Sequence, residues 1–302
     1  HRGNWATSET DTMTQINTIG DRAMLVGLSI SQFNPTKTDK KITAEVAQAH
    51  GSDESMGRYA KNVIAKEAVD ALRKLAGEIR KEHGRRTLPW AEDGARILTN
   101  TGFDEYSNWM RGANAKWDAE VEKFLGSWDS FVADARLKLN GAFDAADYPS
   151  LEAVRAKFSF RWKVRPMPEA KDFRVNLGDE HVAAIRFAME AESRAVVEQA
   201  MRSVWEQMRD VVKSMAERLK AYDPEKPAAH PFRDTLVTNI AELVDVLPAL
   251  NLTNDPNVAK FTAEMQELTK HKAQDLRDHA WKRDDAATRA EAILNQMSQF
   301  IA

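Results

Sequence analysis

Phe158–Leu177, FSFRWKVRPMPEAKDFRVNL, departs from the helical spacing that governs most of the 302-residue chain. Phe158, Phe160, Trp162 and Val164 alternate with Ser159, Arg161, Lys163 and Arg165, the two-residue period of a strand with one buried face. Pro166 and Pro168 interrupt the run, and Phe173, Val175 and Leu177 resume it around Arg174 and Asn176. The reading is two strands joined by a short proline-bearing connection, a β-element over 158–177.

On either side of this element lie two long stripes of helical period. From Phe103 to Leu139, Tyr106, Met110, Ala113, Trp117, Val121, Phe124, Trp128, Val132 and Ala135 recur at steps of three or four. From Glu180 to Tyr222 the stripe runs through Ile185, Met189, Val196, Met201, Val204, Met208, Val212, Met215 and Leu219. Each helix would span on the order of 50–60 Å, and a helix that long with one apolar stripe buries it against another. The expected fold class is therefore α+β, predominantly α. A long antiparallel helical hairpin or coiled coil (103–140 and 180–222) carries a small antiparallel β-sheet, and C-terminal helices follow. Met24–Ile30 supplies a further strand, Asp39–His50 a short helix stopped by Gly51, and Met56–His83 a longer one. Leu88-Pro89-Trp90 reads as a turn or edge strand, because Pro89 lacks a donor and disfavours helix at Leu88. The organisation expected is a leader or disordered segment over 1–20, a body over 21–222, a proline-rich hinge over 223–231 and a helical region over 232–302. The last of these is read as a helix to Leu247, a break at Pro248 and one long polar helix from Asn257 to Phe300.

Composition narrows function by exclusion. There is no cysteine, which removes disulfide frameworks, thiol catalysis and thiolate-bound metal centres and suits a reducing, cytoplasmic setting. No apolar run approaches the roughly 18 residues of a membrane span, so no membrane partner is expected. A net charge of −3 gives no global pull on nucleic acid.

Locally the balance differs. Arg155–Arg174 holds seven basic and two acidic residues, and strand alternation puts Arg161, Lys163 and Arg165 on one face, with Arg174 joining them from the second strand and Arg85 and Arg86 extending the patch. Neutralising several phosphates together needs such a cluster, although a solvated or salt-bridged sheet face is the plainer reading. Trp90 and Trp162, at the strand end, are candidates for an interaction surface. Trp109, Trp117 and Trp128 lie on or beside a helix stripe and read as core. The spacing of His271, Asp275, Asp278 and His279 would suit a divalent metal on one helix face, but nothing orients them, and a solvated charged face is expected. The carboxylate pairs Asp53/Glu54, Glu92/Asp93 and Glu190/Glu192 have no nucleophile or histidine at a telling distance. No catalytic residue, metal or cofactor is expected, and the chain reads as non-enzymatic.

The segments LVGLSISQF (Leu25–Phe33), TLPWAEDGARIL (Thr87–Leu98), the β-element itself and ALNLTNDPNV (Ala249–Val258) together resemble a family of uncharacterised bacterial, plasmid and phage proteins, a domain of unknown function. Its members are often encoded beside a MoxR-type AAA+ ATPase and a von Willebrand A-domain protein. The resemblance implies an adaptor beside that ATPase system or a part in mobile-element DNA metabolism, and supplies no catalytic residues. The leading expectation is thus an interaction protein whose partner is such an ATPase, a von Willebrand A-domain protein or a second copy. The alternative is nucleic-acid binding on the basic sheet face.

Overall fold

A computed structural model describes residues 19–90, 94–170, 179–226 and 231–300. In chain order the elements are α1 (Ile19–Arg22), β1 (Ala23–Ser31), β2 (Thr36–Thr38), α2 (Lys40–His50), β3 (Ala60–Asn62), α3 (Asp70–Arg85), β4 (Leu88–Pro89) and β5 (Arg96–Thr99). There follow α4 (Phe103–Gly126), α5 (Trp128–Leu139), α6 (Leu151–Arg155), β6 (Ser159–Pro166), α7 (Asp179–Ala221), α8 (Thr235–Leu250), α9 (Pro256–Glu267), α10 (Ala273–Asp278) and α11 (Ala280–Met297). The fold is α+β and predominantly α, with a four-stranded sheet ordered β4-β5-β1-β6 and a two-stranded antiparallel sheet of β2 and β3. The expected leader lies almost wholly outside the described residues. So do the second strand of the β-element, with Arg174, and part of the 223–231 hinge.

The chain forms two compact units, each assembled from separated stretches. One takes the residues up to Gly27, His83–Tyr106 and Lys163 onward; the other takes Leu28–Glu82 and Ser107–Trp162.

In the first unit, β5 pairs antiparallel with β1 (Leu25 opposite Ile97) and with β4 (Leu88 opposite Ile97). Among the described residues β4 ends the strand order, so Pro89 sits on an edge strand, where a missing donor costs little. The core is laid along the C-terminal half of α7. There Ala200, Val204, Met208, Val212, Met215 and Leu219 are buried together with Ile240 and Leu247 of α8, Phe261 and Met265 of α9, and Ala290, Ile293 and Met297 of α11. The rings of Trp205 and Phe300 stack at 4.9 Å, and Lys220 pairs with Glu291. These two links run in opposite directions along the helices, so α7 and α11 are antiparallel. A long antiparallel helix pair is present, and it joins α7 to the C-terminal helix α11, whereas the sequence reading pairs 180–222 with 103–140.

Three helical readings are corrected. The stretch 103–139 is two helices, because Ser127 turns out of the ladder with its hydroxyl on the Lys123 carbonyl, and the turn delivers Trp128 to the core. The stretch 257–300 is three, α9 to α11. Bends at Leu268–Lys272 and at His279 allow Leu268, Ala273 and Leu276 to be buried, and the Arg283 guanidinium takes the C-terminal carbonyls of α10 (Leu276 O at 3.1 Å, Arg277 O at 3.3 Å). Met56–His83 contains β3 before its helix begins at Asp70. Pro248, by contrast, does not end α8: its missing donor lies on an exposed side, and buried Leu247 and Leu250 hold the last turn.

In the second unit, α2 opens at Asp39, whose carboxylate accepts from Ile42 N, and closes at Gly51 in the left-handed region (φ +61°). The core is aromatic. Phe33 meets Trp128 edge-on at 5.4 Å, Phe124 meets Phe158 at 5.3 Å, and Trp117 is fully buried beside Phe158. Such edge contacts add about 0.5–1.5 kcal/mol each beyond the area they bury.

Candidate functional site

β6 carries the charge pattern read from the sequence. Phe158, Phe160 and Trp162 are half-buried, whereas Arg161, Lys163 and Arg165 are exposed. Val164 departs from the pattern and is exposed as well. Among the described residues β6 closes the strand order, and basic side chains on an edge strand also oppose sheet-to-sheet pairing. The patch is smaller than expected, however. The Arg85 guanidinium donates to Glu242 at 3.0 Å and that of Arg86 to Glu105 at 2.6 Å, so both cations are held by carboxylates of their own unit. Arg155 is likewise paired, with Glu122. Arg161 and Lys163 have no ion pair among the described residues. Trp90 is half-buried and packs on the core of the first unit, so it offers less surface than expected.

The remaining candidates separate. Asp275 pairs with Lys282, and the Gln274 amide donates to Asp278. His271 precedes α10 and His279 lies at the bend after it, so the run does not share one helix face. No metal-binding cluster occurs among the described residues. Asp53 caps a short turn through Ser55 N, and Glu92 and Asp93 lie outside the described residues. Trp117 and Trp128 are core, and Trp109 is half-buried.

The surface that stands out is on α7. This helix has 43 residues, about 65 Å at 1.5 Å per residue, yet no residue from Glu180 to Val196 is buried. Phe187 is 74% exposed, and Ala183, Ala184, Ala188 and Ala191 around it are exposed too. Ile185 and Met189, which the stripe placed in a seam, are half-buried, as is Val182. Phe187 lies off that stripe, and a large apolar side chain at such a position is the one sign of this surface the sequence offered.

No family model, curated protein or solved structure matches the chain.

Two buried polar clusters had no sequence signature. In the second unit the Lys61 side chain is 3% exposed and its ammonium lies 2.6 Å from Asp39 Oδ2 and 2.8 Å from Asp147 Oδ2, while donating to the Ala142 carbonyl at 2.8 Å. Lys37 holds the other oxygen of Asp147 at 2.5 Å. Burial alone would weaken the proton on Lys61, but the carboxylates of Asp147 and Asp39 outweigh it and raise its pKa above the ordinary value. Burial would raise Asp147, yet Lys37 and Lys61 hold it below the ordinary carboxylate range; the Lys61 bond does the same for Asp39. A protonated lysine between two ionised carboxylates cannot serve as a base at neutral pH, so this cluster fastens β3 to the α2 cap and to the turn at Asp147.

In the first unit His83 Nδ1 and Tyr106 Oη share a buried hydrogen bond of 2.8 Å. Burial, helped by the Arg96 charge, holds the His83 pKa down at about 4, and burial pushes the Tyr106 phenol up. Arg96 donates to the Thr87 hydroxyl at 2.7 Å and to the Thr87 and Gly84 carbonyls at 2.8 and 3.0 Å.

Among the described residues no helix is long and apolar enough to cross a membrane.

Proposed function

We propose that the chain is an interaction protein that docks a partner helix on the uncovered N-terminal half of α7, and that the partner is a second copy of the chain. The observation that carries the reading is Phe187, exposed at the centre of a face from Ala183 to Ala191 that is otherwise alanine. That face combines a bulky knob with the shallow seat that small residues leave. Two copies running antiparallel can therefore exchange knobs across a two-fold axis, as a self-complementary patch requires. The further half of the same helix already takes α11 in antiparallel packing, so the new contact continues an existing mode of pairing. The resemblance to proteins encoded beside an AAA+ ATPase and a von Willebrand A-domain protein supports an assembly role and names the partners to try if copies do not pair.

Phe187→Glu tests the reading, with Leu137→Glu as a control because Leu137 is also exposed but lies in the other unit. Light scattering is expected to show a dimer for the parent and for Leu137→Glu, and a monomer for Phe187→Glu. A Phe187→Glu protein that remains dimeric removes the proposed surface.

A second reading rests on Arg161 and Lys163, exposed and without an ion pair on β6: the strand binds a nucleic-acid backbone. On this reading the double reversal Arg161→Glu/Lys163→Glu weakens binding to labelled DNA at least tenfold and flattens the slope of log affinity against log salt by about 2. Anisotropy titrations that give equal affinities for parent and variant eliminate it.

A further inference from the structure

A cavity of about 410 Å³ opens in the first unit between α1, the middle of α7 and the turn from α8 to α9. Its walls are largely apolar, formed by Ile19, Val197, Met201 and Leu252. Two cations reach it, Arg22 from α1 and Arg194 from α7. Both are half-buried, and neither has an ion pair or hydrogen bond among the described residues. The Nε of Arg194 is sealed from solvent with no acceptor, an arrangement folded proteins rarely leave in place. Elsewhere in this unit half-buried guanidinium groups are engaged: Arg96 by carbonyls, Arg277 by Asp234 and the Phe232 carbonyl. Arg22 and Arg194 are the exception, and they line the same cavity.

We infer that this cavity binds a carboxylate carried on an apolar body, the carboxylate held by Arg22 and Arg194 and the hydrocarbon by the apolar walls. A planar guanidinium matches a carboxylate in shape as well as in charge, and the volume falls within the range of small-molecule sites. Glu198 at the same cavity opposes a doubly charged phosphate more strongly than a single carboxylate. The turn that forms one wall is built beforehand. Asn251 brackets Asp255 with two hydrogen bonds of 2.9 Å, the Asp255 carboxylate accepts from Asn257 N at 2.8 Å, and Asn254 takes the left-handed conformation (φ +56°). Asp255 is thus committed to the turn. The chemistry fits either a free organic acid or the terminal carboxylate of a peptide ending in an apolar residue.

Calorimetric titration of the full chain with sodium octanoate, 1-octanol and inorganic phosphate tests the inference. Saturable octanoate binding at least tenfold tighter than octanol or phosphate is expected. No saturable octanoate binding up to millimolar concentration, or octanol binding as tightly, overturns it without recourse to any variant. Arg22→Gln/Arg194→Gln is expected to weaken octanoate at least tenfold while leaving octanol unchanged; unchanged octanoate binding in that variant also overturns the inference. A leucine-ended hexapeptide with a free or amidated C-terminus separates the sources. Preference for the free acid over both its amide and octanoate assigns the site to a chain terminus, and preference for octanoate assigns it to a small acid. Phe187→Glu retains the cavity and is expected to bind octanoate like the parent, so this site is judged separately from the pairing of copies.

Discussion

Replacing Lys61 with methionine is expected to destabilise the fold by about 3 kcal/mol at neutral pH, the low end of the range for breaking a buried ion pair. Methionine fills the space of the lysine stem, so the loss is chiefly electrostatic. Asp39 and Asp147 would be left facing one another without the ammonium that lies 2.6 and 2.8 Å from them. The dependence on pH identifies the cause. Asp147 and Asp39 are held below the ordinary carboxylate value of 3.8, so their contribution is fully present above that value and is lost as pH falls through the lower, folded-state value. The gap between parent and Lys61→Met should therefore be widest at neutral pH and close in strong acid, where carboxylates need no counter-ion. Lys61→Met/Asp147→Asn should be less destabilised than Lys61→Met alone. Urea unfolding at several pH values measures both effects. A variant within 1 kcal/mol of the parent at pH 7 would show that the cluster contributes little, and a gap that does not change with pH would show that the loss is not electrostatic.

Acidification from pH 6.5 towards 4 is expected to remove about 3 kcal/mol through His83, the free energy that corresponds to a pKa of about 4 against an ordinary 6.5. The folded state keeps the imidazole neutral because it is buried beside the Arg96 charge and bonded to Tyr106, whereas the unfolded chain takes up the proton below 6.5. Stability is thus highest above 6.5, falls through the window and levels off below about 4. His83→Asn places an amide near the Nδ1 position and does not titrate. In that variant the slope between pH 6.5 and 5, where carboxylates contribute least, should largely disappear. An unchanged slope would assign the loss to other groups.

What the sequence revealed and what it concealed follow from the range of the interactions concerned. Pro89 on an edge strand, Asp39 and Gly51 at the ends of α2, and the alternation of Phe158, Phe160 and Trp162 against Arg161 and Lys163 all express local sterics and period, and each was readable. So was the stripe Met201–Leu219, because one face of a helix repeats within a few residues. The breaks at Ser127 and after Leu268 were not readable, since a turn there is decided by which distant core must receive Trp128 or Leu276. Charge was the least legible. Arg85 finds its carboxylate 157 residues away at Glu242, and Lys61 finds Asp147 from across the second unit, so the basic patch appeared larger in the sequence than the fold leaves it. Stripe counting also concealed Phe187, because a stripe records the residues a helix is able to bury and ignores an apolar residue placed off it.

The most direct test of the central claim uses the absence of cysteine from the chain, which makes any introduced thiol unique. Ala191→Cys lies on the uncovered half of α7, and Lys213→Cys is exposed on the covered half of the same helix. Treatment of each with a short bis-maleimide, followed by denaturing electrophoresis, should give a covalent dimer from Ala191→Cys and little from Lys213→Cys. Equal yields from the two positions, or no dimer from Ala191→Cys, would contradict the assignment of the N-terminal half of α7 as the docking surface.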